Sequence, residues 1–579
     1  MAQQPGEPRL DRRTLLEKTG ATTVAGAMVA LAGCGGGGGN GDGSPEDGTD
    51  EREGTPAEDL ERIDSLNFVT WTQSQKPGYF EQTRMMQSEF EELGIPSELI
   101  PQQFPQPYTN TLFETREYDM LMLGMEGAAY RLDPSFYLNT VLHSSNAETG
   151  GWNISGFEHD ELDQLSEEQQ RLIDQEERQS VVYDIQRIQK DQQAWTVYQS
   201  PNLASGFNSD NLEHPGEENT VPGEGFSSPF TLTTIETTEG GELDYGKVLT
   251  SIDSFNPLQA DSADDIQFIE PFYDTLTKIG PSGRAENWLA SDVTVEDDTT
   301  VVVTLKDGVT FHDGEPVTAE DVAFSYRFQQ ENKAPYVATY LEPMSEVTAG
   351  DGEVTFSLSE PYAPWSTLTM GQVPILPRHV WENVTEENDI SNPANYENKP
   401  PIGSGPFEFS RHRDGSLLEM TAVDDHPFAP NIDTFRYRLY GNKSTAQQAL
   451  LNGDIDVLDQ LPSTLRGGVR DQSGLTLNFQ TQHGLRTLLH NERRGMPFTD
   501  PAFRRALSYL IPRQRIVNQV YDGEATRGGS IIAQGNEFWH NPEVSPNTYD
   551  PEQARTILEE AGYAWDDDGR LMYPTDGSN

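Results

Sequence analysis

The chain has 579 residues, and its 95 Asp and Glu against 39 Lys and Arg give a formal net charge of −56. That balance excludes nucleic acid as a partner, because phosphates demand a basic footprint. An aromatic content of 9%, spread through regular apolar segments, excludes a disordered acidic chain. The length suffices for two or three domains with sizeable cores. Nine Lys against 30 Arg, on a dispersed acidic background, predict a surface adapted to molar salt and a halophilic, archaeal source. At about 1 M salt the Debye length is ~3 Å, so like charges barely repel and the net charge serves solubility.

Arg12-Arg13 precedes Thr14-Leu15-Leu16 and a weakly apolar stretch over 21–33. That stretch is too short to span a bilayer, which needs about 20 apolar residues. A twin arginine in this setting resembles a Tat signal, so residues 1–33 are expected to be an export signal. Leu31-Ala32-Gly33-Cys34 resembles a lipobox, with Cys34 as the lipidated residue. Cys34 is the single cysteine, so no internal disulfide can form. Residues 34–63 read as a flexible acidic tether, which would hold a lipid-anchored body at the extracytoplasmic face of the cell membrane.

The body opens with a strand at 66–71, a helix at 79–93 stopped by Gly94, a strand at 97–100, a helix near 108–115 and the apolar strand 118–123. Helices at 160–172 and 176–191 and a strand at 194–199 follow, then a Pro-, Gly- and Glu-rich linker at 213–225. Further on come a strand at 301–305, a turn at Gly308, and a helix at 319–330 capped by Thr318, with Asp321 in capping-box position. Gly403-Ser404-Gly405-Pro406-Phe407 opens another strand with Phe407 in the core, and helices are expected at 445–452, 501–510 and 551–561. This rhythm predicts α/β layering. Asp566-Asp567-Asp568-Gly569 reads as a solvated turn without EF-hand spacing. With no GxSxG, P-loop, HExxH or paired His spacing, neither catalytic residues, metal nor cofactor is predicted.

Four blocks in a fixed order carry a resemblance: FHDGEPVTAEDV at 311–322, PIGSGPF at 401–407, LLNGDID at 450–456 and PFTDPAFRRAL at 497–507. Together they resemble the family 5 solute-binding proteins, the extracytoplasmic receptors of peptide, oligopeptide and nickel ABC importers. The resemblance implies a two-lobed periplasmic-binding-protein-like α/β fold, type II with an extra subdomain. It implies a peptide or similar small solute trapped between the lobes, delivered without turnover to ABC permease subunits with cytoplasmic ATPases. A secreted hydrolase, or the solute-binding component of a sensory system, stands as the alternative.

In the family the FHDG block lies near the start of the mature protein, whereas here it follows the midpoint. Segments resembling the family's late section, among them Tyr118-Asp119-Met120 and Leu132-Asp133-Pro134, come first. The chain is therefore expected to be circularly permuted, an arrangement tolerated where domain termini lie close together. On that reading 64–192 is part of lobe II, and 193–285 is part of lobe I with a permutation linker at 213–241. Residues 286–399 form its subdomain, 400–490 the rest of lobe I, and 491–579 the rest of lobe II.

In peptide-binding relatives a carboxylate shortly after the Tyr-Asp-Met strand holds the ligand's α-amino group. Here the run Gly124-Met125-Glu126-Gly127-Ala128-Ala129-Tyr130-Arg131-Leu132-Asp133-Pro134 departs from that pattern. Against the resemblance, Met125 stands for the usual Trp, the usual Asp falls near 128–130, Asp133 matches a turn position, and Glu126 is a candidate substitute. Tyr130 and Arg131 are candidates to line the cleft, with Trp152 and Asn153 in a Gly-flanked loop and Trp71 after the first strand. His312-Asp313 belongs to the family's structural turn and not to a metal site.

Overall fold

A computed structural model of the chain describes residues 60–575, except 239, 253, 261 and 262. Arg12, Arg13, Cys34 and most of the expected tether lie outside the described residues. Among the described residues, no helix is long and apolar enough to cross a membrane.

Six strands form one large mixed sheet, in the order Ala525–Arg527, Trp195–Pro201, Leu485–His490, Met120–Met125, Leu66–Trp71 and Ser97–Gln102. Its first-predicted strands, 66–71, 97–102 and 120–125, run parallel, as apolar strands separated by helices should. The run Met120-Leu121-Met122-Leu123 is buried on both sides by the two-residue period of a strand. Met120 and Met122 join Phe90 of helix Pro77–Glu92, Phe503 of helix Pro501–Leu510 and Leu558 of helix Pro551–Glu560 in one core layer. Leu121 and Leu123 join Val181, Val182 and Ile185 of helix Gln175–Gln192 in the other.

Seven strands form a second sheet, in the order Phe407–Arg413, Leu417–Ala422, Thr434–Tyr440, Glu242–Val248, Val457–Leu458, Leu203–Asn208 and Leu475–Gln480. An antiparallel sheet of four strands packs beside it, covered by helix Ala319–Glu331, and the two share one core that contains Tyr245, Phe435, Val303, Phe356 and Trp365. The capping box is present, with the Thr318 hydroxyl accepting from Asp321 N–H and the Asp321 carboxylate accepting from Thr318 N–H. Two blocks of the family resemblance meet here. His312 N–H donates to the Gly403 carbonyl at 2.8 Å, and His312 Nε2 lies 3.0 Å from the Gly405 oxygen. A Cβ at Gly403 would meet the Phe272 carbonyl at 2.0 Å, so the close approach requires glycine. Phe407 is fully buried beside them.

The two large sheets are built from different stretches of chain. Residues 203–480 supply the seven-stranded and four-stranded sheets without interruption, whereas the six-stranded sheet takes strands from 66–201 and from 485–527. Among the described residues, the chain therefore crosses between them only twice, at 201–203 and 480–485. This corrects two expected boundaries. Strands Trp195–Pro201 and Leu485–His490, assigned above to lobe I, pair with each other and with Met120–Met125 in the six-stranded sheet. Every residue of both strands is buried, which suits central strands of a sheet covered on both faces.

The carboxyl ends of the parallel strands converge on these crossings. Strands 66–71, 97–102, 120–125 and 195–201 all end at the edge where Pro201 leaves the six-stranded sheet. In the seven-stranded sheet, strands 242–248, 434–440 and 457–458 are parallel and end beside the start of the antiparallel strand 203–208. A cleft between carboxyl edges is where open α/β sheets place their ligands.

At the opposite pole, Leu60–Arg62 pairs antiparallel with Leu571–Pro574, placing Leu60 across from Pro574. Arg62 Nε lies 2.9 Å from Asp566, and Arg570 Nε donates to the Ile63 carbonyl at 2.7 Å. This small sheet clasps the two ends of the body together.

Candidate ligand cleft

The loop 126–131 leaves strand Met120–Met125 at the carboxyl edge and touches both the 480–485 crossing and the 213–225 segment. Gly127 N–H donates to Gln482 Oε1 at 3.2 Å, and Ala128 N–H to His483 Nε2 at 2.9 Å. Ala129 N–H donates to Glu224 Oε1 at 2.6 Å. A Cβ at Gly127 would stand 3.1 Å from Gly223 Cα, and a Cβ at Gly484 would stand 2.8 Å from Gly127 nitrogen. Three backbones thus meet where side chains do not fit. The segment 213–225, read as a linker, packs closely here, with Thr220 and Val221 buried.

Glu126 does not stand free. Arg486 holds it with two contacts, at 3.0 and 3.1 Å, and Tyr79 Oη donates to it at 3.1 Å. Burial opposes its ionisation, but the Arg486 guanidinium and Lys76 beyond it hold the Glu126 carboxyl below the ordinary range. Arg486 is only 5% exposed and stacks over the Tyr79 ring at 4.8 Å. Glu126 is therefore paired with Arg486 on one side, while its own side chain stays 49% exposed at the carboxyl edge.

The aromatic candidates form two groups. Trp71 ends its strand against Phe104, with ring centroids 4.6 Å apart and nearly parallel, and lies 5.8 Å from Tyr79. Lys76 Nζ stands 5.5 Å over both the Trp71 and Tyr79 rings, and Phe104 is 44% exposed. The second group runs Trp152, Phe136, Tyr130 and Tyr336 at centroid separations of 6.1, 5.6 and 6.0 Å. It crosses the cleft, since Tyr336 belongs to the 203–480 stretch. The Arg131 guanidinium lies over Tyr130 and Phe136 and donates to the Glu126 carbonyl.

Asn153 is a correction. It is fully buried, its amide donates to the Leu142 and Phe157 carbonyls, and its oxygen accepts from Gly156 and Phe157 N–H. It organises its own loop and has no group left for a solute.

Four features of the cleft escape a reading of the sequence. Arg486 lies 360 positions from its partner Glu126. Glu224 sits in the apparent linker, and Glu270 and Lys278 carry no motif. Across the cleft the halves also meet where Thr367 Oγ1 donates to Asp133 at 2.6 Å and Ala363 N–H to the Gln170 carbonyl at 2.6 Å.

Buried titrating groups set an acid limb of stability. Burial pushes His483 down to about 4 and His490 down to about 3, and it pushes the Glu224 and Glu492 carboxyls up to about 7. As pH falls from about 6.5, each imidazole costs roughly 1.4 kcal/mol per pH unit, because only the unfolded chain takes the proton. As pH falls from about 7 to about 4.5, each carboxyl returns a similar amount, because only the folded chain takes it. The opposed pairs offset over that window. Below about 4.5 the carboxyl gain ends, while His490 continues to lose and Asp133, held low against its burial by Arg178, starts to lose its contribution because the unfolded chain takes that proton first. Urea midpoints are expected to be flat between about pH 7 and 5 and to fall steeply below 4.5. A steady decline from pH 7 would show that the two pairs do not offset.

Comparison with known proteins places this architecture. Residues 284–579, half of the chain, match the family model described as bacterial extracellular solute-binding proteins, family 5 Middle. The chain is 29% identical over 352 residues to oligopeptide-binding protein AppA of Bacillus subtilis, covering 58% of this chain and 62% of that protein. It is 29% identical over 328 residues to a dipeptide-binding protein of Escherichia coli, covering 50% and 58%. The chain thus spans about six-tenths of the length of these curated relatives. Among solved structures, the substrate-binding protein CtaP of Listeria monocytogenes aligns with TM-score 0.47 at 24% identity, over 56% of this chain and 66% of that one. With the second half of the sequence matching the family model throughout, the chain belongs to the bacterial extracellular solute-binding proteins, family 5.

Proposed function

We propose that this chain is the receptor of an ABC importer, binding a peptide or similar small solute between its two sheet systems and passing it to membrane permease subunits. The observation that carries this reading is the cleft itself. Carboxyl edges of two parallel-strand sets converge on two crossings, lined by aromatic rings and a few placed charges. Peptide binding is what the names of the Bacillus and Escherichia relatives record for those proteins. Trp71, Tyr130 and Arg131 are proposed to border the solute, with Trp152 supporting them through Phe136. Glu126 is proposed to position Tyr79 and Arg486.

The same reading gives the rest of the chain its place. The Arg12-Arg13 signal and Cys34 lipidation would anchor it outside the membrane, and the acidic, Lys-poor surface would suit a halophilic source. The order of segments is read as a circular permutation, supported by the clasp that brings Leu60 to Pro574. Native mass spectrometry of protein purified from molar salt tests the function. One small solute per chain, released unchanged, is the expected result. Recovery of a chemically converted product from an offered peptide would count for a hydrolase instead.

A further inference from the structure

We propose that Thr367, Arg284 and Ala363 form a latch that holds the two halves of the cleft together, and so helps retain a solute from outside the residues that border it. The inference rests on the receptor reading above and names residues that position its halves. Each contact of the latch joins a residue of 60–201 or 485–575 to one of 203–480. Thr367 Oγ1 donates to Asp133 Oδ2 at 2.6 Å. Arg284 stands at the tip of the hairpin that Thr277–Ile279 makes with Ala285–Asn287. Its guanidinium donates to Gln175 Oε1 at 2.6 Å and lies 4.5 Å over the Phe538 ring. In the same tip, a Cβ at Gly283 would stand 3.5 Å from Asn536 Oδ1 and 3.7 Å from Leu132 Cδ2, so the tip sits against the other half.

Ala363 gives the second observation. It precedes the short helix Pro364–Thr367, and an N–H at the start of a helix has no acceptor within that helix. The Gln170 carbonyl of the other half accepts it at 2.6 Å. Parting the halves returns that N–H to water. The joint is also looser than a core. A hollow of about 240 Å³ remains between Asp133, Gln175 and Trp539 on one side and Arg284, Ala285 and Thr367 on the other. Interiors that never part are packed without such space. At about 1 M salt the exposed Arg171–Glu360 pair, 3.8 Å apart, adds little, whereas short hydrogen bonds keep their strength. Each bond of the latch shifts the balance of joined and parted halves by about fivefold. A solute that binds the joined halves is held more weakly once the latch is weakened.

Hydrogen exchange of the full protein in molar salt reads the latch directly. Between Pro361 and Pro364, which carry no amide hydrogen, lie only Tyr362 and Ala363. Thr367→Val leaves Asp133 both its Arg178 contacts and the Ser135 N–H, so no buried charge is stranded. Thr367→Val combined with Arg284→Met is expected to speed Ala363 exchange by at least about fivefold and to weaken trialanine binding in isothermal titration. Leu121, in the central strand, should exchange as before, and Thr367→Ser should behave as the natural chain. Ala363 exchange that the double variant leaves unchanged, or that rises together with that of Leu121, overturns the latch. Faster Ala363 exchange with unaltered trialanine affinity overturns its part in holding a solute and leaves the receptor reading standing. The expected exchange without trialanine binding, in protein that carries no co-purified solute, keeps the latch and counts against the peptide reading alone.

Discussion

Replacing Arg178 by methionine is expected to cost the folded protein about 3–5 kcal/mol, because it strands Asp133 as an unpaired buried charge. The pair is almost sealed from solvent, with Arg178 0% and Asp133 1% exposed. The guanidinium donates to both Asp133 oxygens at 2.7 and 2.9 Å, to Ser135 Oγ at 3.0 Å, to Gln169 Oε1 at 2.9 Å and to Thr367 Oγ1 at 3.1 Å, and it stacks over Trp539. Thr367 comes from the 203–480 stretch, so the loss also removes a contact across the cleft. A double replacement, Arg178→Met with Asp133→Leu, is expected to recover most of the loss, since neither partner is then left charged and alone. Urea unfolding in molar salt reads both. A loss below about 1 kcal/mol in the single variant would show that water or a neighbour takes the place of the guanidinium.

Stability is also expected to climb steeply with salt. Acidic side chains outnumber basic ones by 95 − 39 = 56, so the surface carries a large uncompensated negative charge. Strand Ala290–Asp297 shows the consequence, with Asp292, Glu296 and Asp297 all exposed on one edge of the four-stranded sheet. At about 0.1 M salt the Debye length is ~10 Å, longer than the spacing of neighbouring surface carboxylates, and the folded surface repels itself. At about 1 M it is ~3 Å and that repulsion is gone. Calorimetry across this range should show the thermal midpoint rising by more than about 10 °C. A midpoint independent of salt would remove the halophilic reading of the composition.

The sequence revealed local structure far better than the pairing of distant segments. Thr318 and Asp321 declare a capping box within four residues, and helix 501–510 begins and ends where Pro501 and the apolar spacing place it. Phe407 and the FHDG turn were legible for the same reason, since their contacts follow from a short motif. The pairing of Glu126 with Arg486 was not legible, because Arg486 lies on a strand that only the register with Met120–Met125 brings near. Strands 195–201 and 485–490 were given to the wrong lobe because their composition says buried without saying in which sheet. Glu224 was hidden in a stretch whose Pro and Gly content marks turns, and turns can be packed as tightly as strands. Asn153 carried a local signal, an Asn shortly before a Gly, that marks a loop organiser as readily as a ligand.

On the permutation proposed above, 60–201 and 485–575 form one half of the cleft, in an order rotated from that of the family. It is tested most directly by a chain that starts at His214, runs to Asn579 and continues from Leu60 to Glu213. This order joins the ends that the clasp holds together and opens the exposed connection at Glu213, leaving Glu224 and both crossings intact. The measurement is its thermal midpoint and solute affinity beside the natural order in the same molar salt. Both should be retained, the midpoint within a few degrees, roughly the scale of 1 kcal/mol. A reordered chain that stays unfolded while the natural order is stable would overturn the permutation.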